Sequence, residues 1–253
     1  MKNENGEKLN VLNEIHLIRH EGKDGINPFD CDSGDIVTQW ELLISGAEQL
    51  GIDLNVEKIN SLFAYLAELN KWNRKINLTA IKDEQDIIIK HVLDSLSYLL
   101  GFDQSNTQRL LDIGSGAGFP AIPIKIIHPE IAVTLVESTK KKAAFLRHII
   151  RTLKLACIEV IDKRIEDIST TYHATFDVVT ARAFADMKSA ISSGGPFLKP
   201  GGIIILSRGP ADILNIKDLL DYQMVLVKRD EFSLPYSDYQ RTLWVFKKPV
   251  MAI

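Results

Sequence analysis

The chain has 253 residues, of which 45% are hydrophobic and 25% charged, and its formal net charge is −3. No apolar run approaches the roughly 20 residues that a membrane span needs, and the two cysteines, Cys31 and Cys157, lie far apart without metal-ligand spacing. These numbers exclude a membrane-spanning protein, a disulfide framework and a zinc site, and they suit a globular α/β protein with room for a small second subdomain.

The first segment of the chain, residues 1–35, combines asparagines, glycines and acids around one short apolar patch at 11–18. We predict a mobile N-terminal extension, because this composition offers little to bury. Residues 1–39 hold eight acids and four bases, so the remaining chain has a net charge of +1 and can bind a polyanion through a local basic patch. Residues 1–7 lack the pattern of a signal peptide, and we therefore expect a cytoplasmic location.

Helices follow in residues 36–105, which we predict to form an N-terminal helical subdomain. The first runs over about 36–50 and ends at Gly51. The second has a repeating apolar face, formed by Ile59, Leu62, Phe63, Leu66 and Leu69. It continues into a basic stretch, 71–79, that includes Lys71, Arg74 and Lys75. These cations favour a polyanionic ligand near the end of the second helix.

Residues 109–120 read as a short buried strand, a glycine turn and the start of a helix at Pro120. Three alternating glycines let the backbone bend sharply and approach a ligand closely: Gly114, Gly116 and Gly118. A dinucleotide-binding fingerprint would require glycine at position 119, where Phe119 stands. The D-x-G-x-G-x-G pattern that begins at Asp112 instead resembles motif I of the class I S-adenosylmethionine-dependent methyltransferases.

Glu137 adds a second indication of a cofactor site. It follows the next apolar run, 131–136, and comes 19 residues after Gly118. A carboxylate at that strand end can accept hydrogen bonds from both hydroxyls of a ribose. Glycines also serve tight turns without any ligand, but the glycines, the preceding acid and Glu137 together form a much narrower pattern. We therefore predict a nucleoside-containing cofactor at this edge.

A helix over 139–154 carries six bases and no acid, namely Lys140, Lys141, Lys142, Arg147, Arg151 and Lys154. Its apolar residues share one face. The basic residues fit either a phosphate-binding surface or an ordinary solvated helix face, and the sequence leaves both interpretations open.

The rest of the chain continues an alternation of strands and helices. Strands are predicted at 158–161, 176–179 and 202–206, with a helix from about Asp186. Two final runs, 224–227 and 242–246, indicate an antiparallel pair at one edge. The predicted fold is α/β: a mostly parallel seven-stranded sheet with helices on both faces, as in class I methyltransferases, plus the N-terminal helices.

Four blocks of sequence carry a more specific resemblance. They are Trp72-Asn-Arg-Lys-Ile-Asn-Leu-Thr-Ala80, Ile89-Lys-His-Val-Leu-Asp-Ser-Leu96, the glycine loop ending Gly118-Phe-Pro120, and Ala181-Arg-Ala-Phe-Ala185. In this order they resemble the glucose-inhibited division protein B family of bacterial 16S rRNA guanine-N7 methyltransferases. The resemblance extends from about residue 36 to the C-terminus and makes 106–253 the methyltransferase domain.

This resemblance implies S-adenosyl-L-methionine as cofactor and a guanine in 16S rRNA as substrate, as RNA or within the 30S subunit, with no membrane, no metal and a monomeric protein. It also implies roles for individual residues. The glycine loop holds the methionine end, Glu137 the ribose, and Arg182 lies nearest the transfer site as both a catalytic and a cofactor-binding residue. The remaining cofactor-binding residues line the loop and the adenine: Asp112, Gly114, Gly116, Gly118, Phe119, Ile165 and Glu166.

The chemistry is also narrowed by the residues near the strand ends. Neither cysteine lies near the crevice, which disfavours methylation of a pyrimidine carbon, and 180–184 lacks the Asn/Asp-Pro-Pro-Tyr/Phe element used for exocyclic amines. Methyl transfer to guanine N7 needs alignment of its lone pair with the methyl group of the cofactor, but no deprotonation. A small-molecule methyltransferase and a ribosome-associated binding protein without turnover remain open. Three polar residues shape the crevice or, as we favour, fix the N-terminal helices on the core: Asn77, His91 and Asp94.

Overall fold

The computed structural model describes residues 33–182, 184, 186–209 and 222–250. The extension predicted for 1–35 lies outside the described residues except for its last three positions, which begin the first helix. No helix in these described ranges is long and apolar enough to cross a membrane.

The N-terminal helices form as the apolar periodicity predicts. Helix α1 spans Ser33–Gln49, and Gly51, with a φ of +72°, ends the following turn. Helix α2 spans Val56–Asn73 and buries the predicted apolar face. Helix α3 begins at Glu84–Ile87, passes through a π-helical segment, Ile88–Leu93, and ends as Asp94–Leu96. The π-helical segment contains the first five residues of the second family block, 89–93. Such π-helical turns are frequent at functional sites.

A seven-stranded sheet forms the centre of the described structure, in the order β3-β2-β1-β4-β5-β7-β6. Strands β1 to β5 are parallel, and β7 runs antiparallel to both β5 and β6. The strands are β1 (Arg109–Ile113), β2 (Ala132–Val136), β3 (Ile158–Ile161), β4 (Phe176–Thr180), β5 (Leu198–Arg208), β6 (Val225–Ser233) and β7 (Gln240–Lys247). The order reverses between β1 and β4, so a ligand crevice is expected at the carboxyl ends of these strands.

Helices cover both faces of the sheet, which confirms the predicted fold class. On β1, Leu110 packs into a core with the N-terminal helices, α4 (Ala121–Ile127) and α5 (Lys140–Thr152). Its neighbour Leu111 points to the other face, where α6 (Met187–Gly194) packs. This alternation follows from the two-residue period of a strand.

Several element bounds depart from the predictions. The helix after the glycine loop begins at Ala121, one residue after Pro120. Strand β5 starts earlier than predicted, at Leu198, and β6 continues to Ser233. Its side chains alternate between exposed and half-buried positions, so β6 lacks the continuous apolar run by which the inner strands are recognised.

Candidate functional site

The glycine loop follows β1 directly and is tied to the end of β2. Gly114, Gly116 and Gly118 adopt φ values of +70°, +58° and +99°, a left-handed region that residues with a Cβ rarely enter. The Gly114 N–H donates to the Val136 carbonyl at 2.9 Å. On the other side, the Tyr65 hydroxyl of α2 donates to the Ala117 carbonyl at 2.6 Å. The loop is therefore held between the sheet and the N-terminal helices.

Glu137 stands at the end of β2, where the sequence predicts it, and is 6% exposed. One carboxylate oxygen accepts the Gly116 N–H at 2.8 Å and the other accepts the Thr139 N–H at 2.7 Å. The side chain thus fixes both the glycine loop and the start of α5. Each carboxylate oxygen still has a second acceptor site, so Glu137 can also accept hydrogen bonds from a ligand.

A crevice of about 290 Å³ opens at the carboxyl ends of β1 and β2. At Gly114 an added Cβ would meet no atom within 4 Å, so the backbone faces open space there. The crevice brings together three of the predicted cofactor-binding residues, Gly114, Ile165 and Glu166. Its remaining lining residues are Ile113, Val136, Ser138, Lys163, Arg164 and Phe184.

Asp112 is fully buried at the end of β1, beside Thr180 of β4. Its Oδ1 accepts a hydrogen bond from the Thr180 hydroxyl at 2.8 Å, and its Oδ2 has no hydrogen-bond partner among the described residues. Burial raises the pKa of this carboxyl group to about 7, although the Thr180 hydrogen bond and nearby Arg182 act in the opposite direction. An unpaired buried oxygen next to the loop marks a position where a ligand donor would be favourable.

Arg182 follows β4 and joins that strand end to helix α3. One guanidinium nitrogen donates to the Lys90 carbonyl at 2.6 Å and to His91 Nδ1 at 2.9 Å, and it lies 3.3 Å from Asp94 Oδ2. Asp94 is buried and also accepts from Arg241 Nε at 2.9 Å. A second guanidinium nitrogen, Nη1, has no hydrogen-bond partner in the described part of the chain.

His91 connects this cluster to the glycine loop. Its ring stacks on Phe119, with 4.6 Å between the ring centroids, and the Arg182 guanidinium lies 5.5 Å from the centroid of the same Phe119 ring. Burial and the neighbouring Arg182 charge lower the pKa of His91 to about 3. His91 is therefore neutral near pH 7.

The sequence analysis favours a role for Asn77, His91 and Asp94 in fixing the N-terminal helices on the core. This interpretation is confirmed for two of the three residues. His91 and Asp94 form a network that joins α3 to the core. Asn77 is exposed and takes no part in it. Asp186, an acid close to Arg182 in the chain, accepts the Ser189 N–H at the start of α6, whereas Arg182 lies beside Asp94.

Five of the predicted site residues fall into two neighbouring groups. Gly114, Ile165 and Glu166 line the crevice. Phe119 and Arg182 lie on the side of the loop that faces the N-terminal helices. Sequence reasoning missed Ser138 and Phe184 as lining residues, although Phe184 belongs to a family block.

Comparison with known proteins decides the family. Residues 58–241 match the GidB family, described as rRNA small subunit methyltransferase G. The chain belongs to this family. A protein of that name from Geobacter sp. (strain M21) is 40% identical over 209 residues, covering 81% of this chain and 95% of the relative. A protein of the same name from Acetivibrio thermocellus is 38% identical over 213 residues, covering 82% of this chain and 88% of the relative.

The family resemblance inferred from the four sequence blocks is thereby confirmed. Among solved structures, that of the [4+2]-cyclase SpnF covers 77% of this GidB-family chain and 96% of its own, with a TM-score of 0.53 and 14% sequence identity. At that identity the likeness shows a shared fold and nothing about activity. In the residues described, no group of three or more His, Cys, Asp or Glu side chains is placed to hold a metal ion.

Proposed function

We propose that this GidB-family protein transfers a methyl group from S-adenosyl-L-methionine to N7 of a guanine in small-subunit rRNA. The observation that carries the proposal is the match to relatives named Ribosomal RNA small subunit methyltransferase G over about four fifths of the chain. The crevice beside the glycine loop, at the point where the strand order reverses, supplies a matching position for the cofactor.

The residues around the crevice fit this cofactor chemically. Glu137 has acceptor sites for ribose hydroxyls, and Ile165 and Glu166 line the wall assigned to the adenine. Asp112 Oδ2 is a buried acceptor without a partner in the described chain, which suits the cofactor's ammonium group. Gly116 and Gly118 shape the loop, and Gly114 leaves space for a ligand. The bound cofactor would supply an electrophilic methyl group.

On this proposal, the protein aligns the guanine and does not deprotonate it, because N7 already has an in-plane lone pair. Arg182 is the proposed catalytic residue. Its Nη1 group has no partner among the described residues and can donate to an acceptor on the guanine or the cofactor. The Phe119 ring contacts both His91 and Arg182 and helps to set the position of that guanidinium.

Two other functions make different predictions. A small-molecule methyltransferase would bind the cofactor and ignore RNA, and a binding protein without turnover would bind RNA and leave the cofactor intact. The proposed substrate is 16S rRNA, presented as RNA or in the 30S subunit, and the proposed location is therefore the cytoplasm. We also propose that it acts as a monomer, which sedimentation can test.

The direct test incubates the purified protein and labelled cofactor with 16S rRNA or 30S subunits from cells that lack this gene. Nucleosides are then separated and identified by mass spectrometry. We expect 7-methylguanosine with one or both substrates and a loss of product in Arg182→Ala. Transfer to another nucleoside, or to small molecules alone, would refute the proposal.

A further inference from the structure

A polar groove of about 940 Å³ lies beside the end of α2, apart from the cofactor crevice. Its volume is near the top of the range for ligand sites, roughly 300–1,000 Å³. Six polar residues line it: Asn70, Asn73, Arg74, Asn77, Thr79 and Lys82. Glu84 is the acid that lines it in the described structure, and its carboxylate accepts a hydrogen bond from Gln39 at 2.6 Å.

The lining residues differ in what they do for the fold. Asn73 is used internally, since its Oδ1 accepts the N–H groups of Leu78 and Thr79 and its Nδ2 donates to the Thr79 carbonyl. Other side chains of the groove form no hydrogen bond or ion pair with the described chain: Asn70, Arg74, Asn77 and Lys82. Two cations and two amides are therefore available to a ligand.

Thr79 connects the groove to the transfer site. Arg182 can only donate, so His91 Nδ1 must accept, and the proton of the neutral ring lies on Nε2. Nε2 is 2.6 Å from the Thr79 hydroxyl oxygen, which also accepts the Ile81 N–H at 3.1 Å. With two hydrogen bonds accepted, the Thr79 hydroxyl keeps its own proton to donate, and no acceptor for it lies among the described residues.

From this arrangement we infer that the groove binds the single-stranded RNA next to the target guanine, with the Thr79 hydroxyl donating to an RNA oxygen. Arg74 and Lys82 would neutralise phosphates, and the amides of Asn70 and Asn77 would bond to base edges. Unpaired RNA fits better than a duplex because its base edges are open to such contacts. This inference rests on the proposed function for the identity of the RNA, but not for the chemistry of the groove.

Binding is measured by fluorescence anisotropy with a short labelled 16S rRNA oligonucleotide, single-stranded or annealed to its complement, without cofactor. Arg74→Ala with Lys82→Ala should weaken single-strand binding roughly tenfold or more at low salt and reduce the salt slope by about 0.7 per cation. Because both side chains are exposed, the melting temperature should stay unchanged. The control is Lys247→Ala, which removes an exposed cation of β7 whose backbone pairs with Ile203 of β5 and Val225 of β6.

An equal loss of binding in Lys247→Ala, no loss in the double variant, or equal binding of the duplex would overturn the inference. The Thr79 role is tested by Thr79→Val, which should lower kcat/KM for RNA about 3- to 10-fold while leaving KM for the cofactor unchanged. Thr79→Ser should restore the wild-type value, and failure to do so would refute the donor role. If the protein binds RNA in the groove but never methylates it, the groove stands and the proposed function fails.

Discussion

Replacing Arg182 by alanine should destabilise the fold as well as abolish transfer. One guanidinium nitrogen contacts the Lys90 carbonyl, His91 Nδ1 and the carboxylate of Asp94, which is only 2% exposed. Breaking a buried ion pair costs about 3–5 kcal/mol, and the hydrogen bonds of a charged group about 1.5–3 kcal/mol each. Because Arg241 still pairs with Asp94, we expect the free energy of unfolding to fall by about 2–4 kcal/mol.

Urea unfolding at pH 7, followed by far-ultraviolet circular dichroism, measures this loss. The matched control is Arg147→Ala, because Arg147 lies 3.6 Å from Asp162 and its side chain is 42% exposed. Such a surface pair is worth about 0–1 kcal/mol. If Arg182→Ala is no less stable than Arg147→Ala, the network is not a structural connection and our account of it is wrong. The pKa of His91 should also rise in Arg182→Ala, which NMR titration can detect.

Three further predictions concern the crevice and the buried titrating groups. Glu137→Ala should weaken cofactor binding by roughly 1.5–3 kcal/mol, and unchanged affinity by calorimetry in a folded variant would remove Glu137 from the site. His91 has a folded pKa of about 3, below its ordinary value of 6.5, so the unfolded chain protonates first and His91 costs stability as the pH falls. The free energy of unfolding, measured by urea titration, should therefore shift in favour of His91→Gln by up to about 1.4 kcal/mol per pH unit below pH 6.5. A difference that stays constant with pH would contradict the pKa assignment. The effect of pH on stability has the opposite sign for Asp112, because its folded pKa of about 7 lies above its ordinary value of 3.8. The stability difference between Asp112→Asn and wild type should move in favour of the variant as the pH rises from about 4 to 7, and no movement would show that Asp112 is ionised throughout.

Much of this fold is predictable from the sequence because it depends on local signals. The apolar run before Gly114 and the carboxylate at 137 mark strand ends, and their order along the chain implies a parallel sheet. The partner of Arg182 is not predictable in this way. Asp94 lies 88 residues earlier in the chain, and only the packing of α3 on the sheet brings the two together. Local sequence instead suggests Asp186, whose carboxylate the start of α6 uses as a cap.

The same distinction applies to the candidate site. Gly114, Ile165 and Glu166 lie close together because each follows a parallel strand, and the carboxyl ends of parallel strands meet at the same edge of the sheet. The position of the Phe119 ring depends on tertiary packing, because the ring contacts His91 and Tyr65 of the N-terminal helices. Thr79 belongs to the first family block, but its place in that block does not indicate what its hydroxyl group does. Its available proton follows only from the tautomer that Arg182 imposes on His91.

The central claim is tested most directly by mass spectrometry of 16S rRNA nucleosides from cells with and without this gene. We predict that one 7-methylguanosine is lost from 16S rRNA on deletion, and that it returns with the wild-type gene but not with Arg182→Ala. An unchanged 7-methylguanosine content, or the loss of a different methylated nucleoside, would contradict the assignment.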